Sequence, residues 1–378
     1  MKMHKRLGIF LVILLVFAVA VFIGYRYSNN ADAREVLQTE LSLLKNPDTR
    51  TIQKYISYKE LFPNATQNTE LSENINEVFS LFFQNFDYRI LDIQVDEEQK
   101  NATASVKLTT IDAQALAKDF AVALLKTQIT EAAQARSGSV KDSSLSLEGH
   151  YLILNDLLKN NTYDSVTSEC TVQLVNKGSS KREHWEIQHS YSLENELVGN
   201  LIVYLSDPDI LSPEDTLSIY LDTLKQMDLT QISSYLGVVS IMNTSDAAKN
   251  SIAEALITQI HANFDYKIKN CSRNGYNSTI VATITTFDSD TILENYQHRL
   301  SEYLNSAEAV IDGSARRYDK SLEFLLDSIT ENTTIRTTDV HFVLINDGVS
   351  WKLQDEGNTL GNAIFGNLAV SPLEEESE

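Results

Sequence analysis

Cysteine is nearly absent: the 378-residue chain holds only Cys170 and Cys271. The two fall at non-equivalent places of an internal repeat set out below, where the other copy has Val340 and Ile93, so each reads as a small core hydrophobe and no structural disulfide is expected. Neither lies near the end of the apolar run at residues 7–24, which excludes a lipid-modified cysteine there. Histidine is sparse as well, and His4, His150, His184, His189, His261, His298 and His341 are scattered without metal-ligand spacing. No metal and no cofactor is expected. A nucleophile elbow, a phosphate-cradling glycine loop and a paired-cysteine motif are all missing, so no enzymatic activity is expected. Positive charge is short: 31 Lys and Arg stand against 52 Asp and Glu, a net charge of −21. The first 30 residues hold four of the basic and none of the acidic residues, leaving −25 on the rest. Such a surface repels nucleic acid, which is excluded as a partner, and keeps an exported domain soluble. Proline is scarce too, and two of the five, Pro208 and Pro213, bracket a short acidic stretch that reads as a stiff linker.

Leu7 to Gly24 contains no polar side chain, and at about 1.5 Å per residue it matches the roughly 30 Å hydrocarbon core of a bilayer. Lys2, Lys5 and Arg6 precede it and Arg26 follows. The positive-inside rule then predicts one transmembrane helix, with residues 1–6 cytoplasmic and everything after the helix extracytoplasmic at the cell membrane. A cleaved signal peptide with Ala31-Asp32-Ala33 as its site is the alternative.

Behind this run one unit occurs twice. Leu37, Leu41, Leu44-Lys45, Ile52 and Tyr55-Ile56 match Leu217, Leu221, Leu224-Lys225, Ile232 and Tyr235-Leu236. Asn85-Phe86-Asp87-Tyr88 matches Asn263-Phe264-Asp265-Tyr266, and Thr109-Thr110-Ile111-Asp112 matches Thr285-Thr286-Phe287-Asp288. The match closes on Asn176 and Gly178 against Asn346 and Gly348, Trp185 against Trp351, and Gly199-Asn200 against Gly361-Asn362. Leucines at i, i+4 and i+7 predict an opening amphipathic helix over 32–46 and 213–226, followed by a short helix at 52–56 and 232–236 and a third at 71–84 and 247–262. The period then changes to two. Ala102, Ala104, Val106 and Leu108 alternate with polar residues, as do Ile280, Ala282 and Ile284, which predicts half-buried strands paired with the runs before them. Asp112 and Asp288 stand where the N-caps of long helices belong. The fold class is therefore α+β: a transmembrane helix, then two repeats, each a curved antiparallel sheet of about four strands packed against helices.

With Trp351-Lys352-Leu353 followed by Leu360-Gly361-Asn362-Ala363-Ile364, this pattern resembles tandem cystatin-like or nuclear transport factor 2-like exported domains of unknown function from clostridial-type, Gram-positive bacteria. The first copy departs with Trp185-Glu186-Ile187. The resemblance implies domains at 32–205 and 213–370, joined by a linker at 206–212 and trailed by an acidic tail at 371–378. It implies a cone-shaped cavity and brings no catalytic residues.

Candidate chemistry is thin. Tyr88 and Tyr266, each beside an aspartate, are the ligand-pocket candidates, because a phenol and a carboxylate in an apolar cavity can act on a small ligand. Adjacent strand residues face opposite ways, however, so an outward Asp and a packing Tyr is the plainer reading. Trp185 and Trp351 read as core, Asp112 and Asp288 as caps, and His341 as solvated. Function is expected where the copies differ, for example at Arg316-Arg317 of the second. The leading expectation is a membrane-anchored, non-catalytic extracytoplasmic binding or scaffolding protein with a protein or cell-envelope partner. A small-ligand receptor or enzyme using the cone cavity is the alternative, as is a scaffold subunit of a conjugative secretion machine.

Overall fold

The computed structural model of the chain describes residues 32–66, 75–96, 98, 100–135, 146–178, 184–228, 231, 232, 235, 247–354 and 356–370. It divides into two units, Met1–Phe120 with Ser146–Ser206, and Ala121–Leu145 with Asp207–Glu378. In the first, helices at 32–43, Thr49–Tyr55, Tyr58–Leu61 and Ile75–Phe82 lead into strands β1 (Asp87–Asp96) and β2 (Asn101–Ile111). The helix Ala113–Ala135, which belongs to the second unit from Ala121 on, and the helix Leu147–Asn160 follow, then β3 (Ser165–Asn176), β4 (Trp185–Ile187) and the short helices Tyr191–Leu197 and Leu201–Leu205. The second unit opens with helices Pro213–Gln226 and Ala247–Asn263 and continues with β5 (Asp265–Asn274) and β6 (Asn277–Phe287). Helices Ser289–Leu304, Ala307–Ile311 and Ser314–Thr330 precede β7 (Ile335–Asn346), β8 (Trp351–Leu353), the helix Glu356–Phe365 and a 3-10 turn at Gly366–Val370.

Each sheet is antiparallel and keeps chain order, β1-β2-β3-β4 and β5-β6-β7-β8. The registers repeat. Asp87 faces Thr109 as Asp265 faces Thr285, Thr110 faces Val166 as Thr286 faces Arg336, and Asn176 faces Trp185 as Asn346 faces Trp351. Both first strands carry a bulge at the same place, between Ile90 and Asp92 and between Ile268 and Asn270. The apolar stripe of each central strand is buried: Ala102, Ala104, Val106 and Leu108 in one sheet, Ile280, Ala282 and Ile284 in the other. Leu37 and Leu41, with Leu44 in the turn that follows, and Leu217, Leu221 and Leu224 are buried on the opening helices, as their spacing requires. Asp112 accepts from the Ala115 N–H at 3.0 Å, and Asp288 from those of Asp290 and Thr291 at 3.1 and 3.4 Å, so both cap the helices behind them.

Two expectations need correction. The fold class included a membrane-spanning helix, yet among the described residues no helix is long and apolar enough to cross a membrane. The longest, Ala113–Ala135, carries Lys118, Asp119, Lys126 and Glu131 along its length, and a bilayer core rejects such charges. The run at 7–24 lies outside the described residues. The architecture is α+β with two four-stranded antiparallel sheets. The second correction concerns the end of the repeat. Gly199 and Gly366 have positive φ, +63° and +52°, and each passes closely over the start of the helix after the central strand. Gly199-Asn200 therefore corresponds to Gly366-Asn367, not to Gly361-Asn362.

Candidate functional site

The two Asp-Tyr pairs take the same posture. Asp87 and Asp265 are exposed and pair with Lys45, in the turn after the first opening helix, and with Lys225, in the last turn of the second, at 2.5 and 2.6 Å. Lys45, through its hydrogen bond, holds the Asp87 carboxyl below its ordinary range, and Lys225 does the same for Asp265. The ammonium groups lie 5.2 and 5.3 Å from the centres of the Tyr88 and Tyr266 rings. The Tyr88 hydroxyl donates to the Gln38 carbonyl at 2.8 Å and meets Ser42 Oγ at 2.6 Å; that of Tyr266 donates to the Ser218 carbonyl at 3.3 Å. Burial pushes the Tyr266 phenol up to about 12. In both units Asp and Tyr thus tie the first strand to the opening helix.

Trp185 and Trp351 are buried at the ends of their sheets. Trp351 donates its indole N–H to Asp209 at 2.8 Å, and Arg273, itself 2.8 Å from Asp209, lies over the ring at 4.9 Å. Of the Arg316-Arg317 pair, Arg316 bonds Glu323 of its own helix at 3.2 Å, and Arg317 bonds the carbonyl of Asp312, in the turn before that helix, at 3.1 Å. Among the described residues no cluster of three His, Cys, Asp or Glu is placed to hold a metal ion.

A pocket of about 360 Å³ lies in the second unit, within the usual range for small-ligand sites. Its parts come from four places: Thr286 and Phe287 at the end of β6, Ser289 in the first turn of the helix capped by Asp288, residues 336 and 338–341 of β7, and Thr359, Asn362, Ala363, Ile364 and Gly366 around the closing helix. The Thr286 and Ser289 hydroxyls are buried, at 4 and 1% residue exposure, and among the described residues neither has a hydrogen-bond partner. An unpaired buried hydroxyl costs about 1–3 kcal/mol, so two in one pocket call for an explanation. Beside them Arg336 donates through Nε to Thr338 Oγ1 at 3.1 Å and through Nη1 to Asp290 at 3.3 Å, with its side chain 38% exposed. Gly366 covers this corner: a Cβ there would stand 2.6 Å from Ser289 Oγ and 3.3 Å from Arg336 Nη1.

The pocket offers donors, and the Asp339 and His341 side chains of its lining lie on the exposed face of β7. Asp339, the carboxylate in its lining, is bound by Lys269 at 2.7 and 3.0 Å and by Thr283 Oγ1 at 2.9 Å, which hold it below its ordinary range. What the site can do is receive a group rich in acceptor oxygens.

Sequence reasoning missed Arg336 and Ser289, although a signal for them existed. Through the shared register Arg336 stands where the first unit has Val166, and Ser289, one past the cap, where it has Ala113. Thr286 keeps its counterpart, Thr110. The polar corner is thus the sister unit's corner with two apolar residues, Val166 and Ala113, replaced by polar ones.

No family model matches the chain, and no curated protein matches it. Among solved structures it is similar to YcdA, a lipoprotein candidate of Bacillus subtilis, at 11% identity and a TM-score of 0.25, over 74% of this chain and 96% of that one. A likeness at that level adds nothing to the fold or to the site.

Proposed function

We propose that this chain is an extracytoplasmic, non-catalytic binding protein whose second unit receives a small ligand bearing an acidic group. The observation that carries the reading is the corner of Arg336 with the two unpartnered hydroxyls of Thr286 and Ser289 in a pocket of about 360 Å³. A chain of net charge −21 repels anions at long range, so an anion site in it has to be local, built from a cation and fixed donors in partial burial. Binding is favoured over catalysis because Asp339 is committed to Lys269 and Thr283, and the Asp339 and His341 side chains lie on the exposed face of β7. Export is supported by the apolar run at 7–24 with Lys2, Lys5 and Arg6 before it.

The test is thermal unfolding of the purified full chain with a panel of small carboxylates and phosphates. A ligand present at about 100 times its Kd stabilises by roughly 2.7 kcal/mol, which raises the melting temperature by several degrees. Arg336→Val with Ser289→Ala copies the sister unit's lining and should fold; it should abolish the rise. A panel without any stabilising member, or a rise that survives in this variant, overturns the reading.

A further inference from the structure

The pocket has a property that a closed small-molecule site does not need: one of its walls is the open edge of a β-strand. β8 pairs only with residues 344–346 of β7, and one further bond, from the Gln354 N–H to the Val343 carbonyl, ends its run. Residues 335–342 of β7 are then paired with β6 on one side and, among the described residues, with no strand on the other. The Val343 bond sets the parity of that edge. In an antiparallel strand alternate residues turn their N–H and C=O to the same side, so Asp339 and His341 point their backbone groups to the side on which β8 lies. Both residues line the pocket while their side chains are on the exposed face. They therefore meet it through the backbone, whereas Arg336, Thr338 and Val340 meet it through side chains.

We infer that the occupant of this pocket is the C-terminal end of an extended peptide, added to β7 in line with β8, with its terminal carboxylate on Arg336. The inference rests on the pocket-binding reading above and names its ligand. The direction is fixed by the sheet. A peptide continuing β8 runs antiparallel to β7, so its C-terminus arrives at the Arg336 end. At about 3.3 Å per residue the path from His341 to Arg336 takes four or five residues. Along it Asp339 and His341 offer the ladder, the mode by which edge strands recognise peptides. At its end the carboxylate finds the Arg336 guanidinium, beside the hydroxyls of Thr286 and Ser289, which have no partner among the described residues. Val340 and Ala363 flank the last side chain, which selects a small aliphatic residue.

The experiment is fluorescence anisotropy of the full chain with fluorescein-labelled pentapeptide pools ending in valine, as free acids and as C-terminal amides, with N-acetylvaline as the small competitor. Expected is saturable binding of the acids, at least tenfold weaker binding of the amides, and at least a tenfold loss in Arg336→Val with Ser289→Ala. The deciding variant is His341→Pro, which removes an edge N–H without touching the β6 ladder; circular dichroism checks its fold, and Asp339→Pro serves if it fails. It should lose peptide binding and keep any binding of N-acetylvaline. Equal binding of acids and amides, or peptide binding unchanged by proline at the edge, overturns the inference. If N-acetylvaline binds as well as the peptides and proline affects neither, the small-ligand reading stands without it. If nothing binds, both fall.

Discussion

Gly199 and Gly366 hold the tightest points of their units. Each combines a positive φ with a neighbour that a Cβ would strike, Thr110 Oγ1 in one case and Ser289 Oγ in the other, both at 2.6 Å. Gly275 has a similar φ of +60° and open space around it, which separates the two effects. Gly275→Ala should cost about 1 kcal/mol for the left-handed backbone alone, and Gly199→Ala and Gly366→Ala on the order of 3 kcal/mol, read from urea unfolding midpoints. Ser289→Ala should recover part of the Gly366→Ala loss by removing the struck oxygen. Equal costs at all three glycines would mean that the close approach carries no energy. This is also where sequence reading failed at the finest grain. Gly-Asn occurs three times in the second copy, at Gly357-Asn358, Gly361-Asn362 and Gly366-Asn367, and only the backbone conformation tells which pair answers Gly199-Asn200.

Elements were legible where burial imposed a period. The central strands bury one face, so Ala102 to Leu108 and Ile280 to Ile284 declare themselves by alternation, and the aspartate caps announce the helices that follow. The helix Tyr58–Leu61 was not legible, because four residues are too few to display a helical period. Arg336 was hidden for a different reason: a polar residue in a strand reads as solvent-facing, and only its register opposite Thr286 places it in a pocket. The β7–β8 turn offers a test at this scale. Burial alone would raise the Asp347 carboxyl, but Lys352 and the N–H groups of Ser350 and Val349 overcome it and hold the group at about 2, against an ordinary 3.8. A depressed folded-state value means stability that is present above pH 4 and is lost as the pH falls from about 4 towards 2. Asp347→Asn should therefore be less stable than wild type at pH 7, with the gap closing across that window in urea titrations; a gap constant from pH 7 to pH 2 would deny the ionised turn its role.

At the scale of the whole molecule, each unit supplies its own sheet and apolar face, and Cys170 and Cys271 are free. Burial, followed by the Glu196 carboxylate, pushes the Cys170 thiol up to about 12, so it behaves as a core hydrophobe. The melting temperature should not depend on reductant, and Cys170→Val with Cys271→Ile should stay within a few degrees of wild type, the scale of about 1 kcal/mol. A large fall in the double variant, without one on reduction, would reveal packing that valine and isoleucine do not reproduce.

The reversed ion pairs of the last two strands bear on how such a chain reaches its fold. Lys177 pairs with Glu186 at 2.5 Å in the first unit, while at the matching places Asp347 pairs with Lys352 at 2.5 Å in the second. Sister sheets with one register invite mispairing on the way to the native state, a hazard common to duplicated domains. Were β4 to dock on β7, Glu186 would meet Asp347; were β8 to dock on β3, Lys352 would meet Lys177. Each correct pair contributes little at such exposure, and each wrong one is unfavourable by a similarly small amount. Between two otherwise equivalent partners that difference is enough to bias the choice, so the opposite polarity of the two turns acts as an address label for each terminal strand.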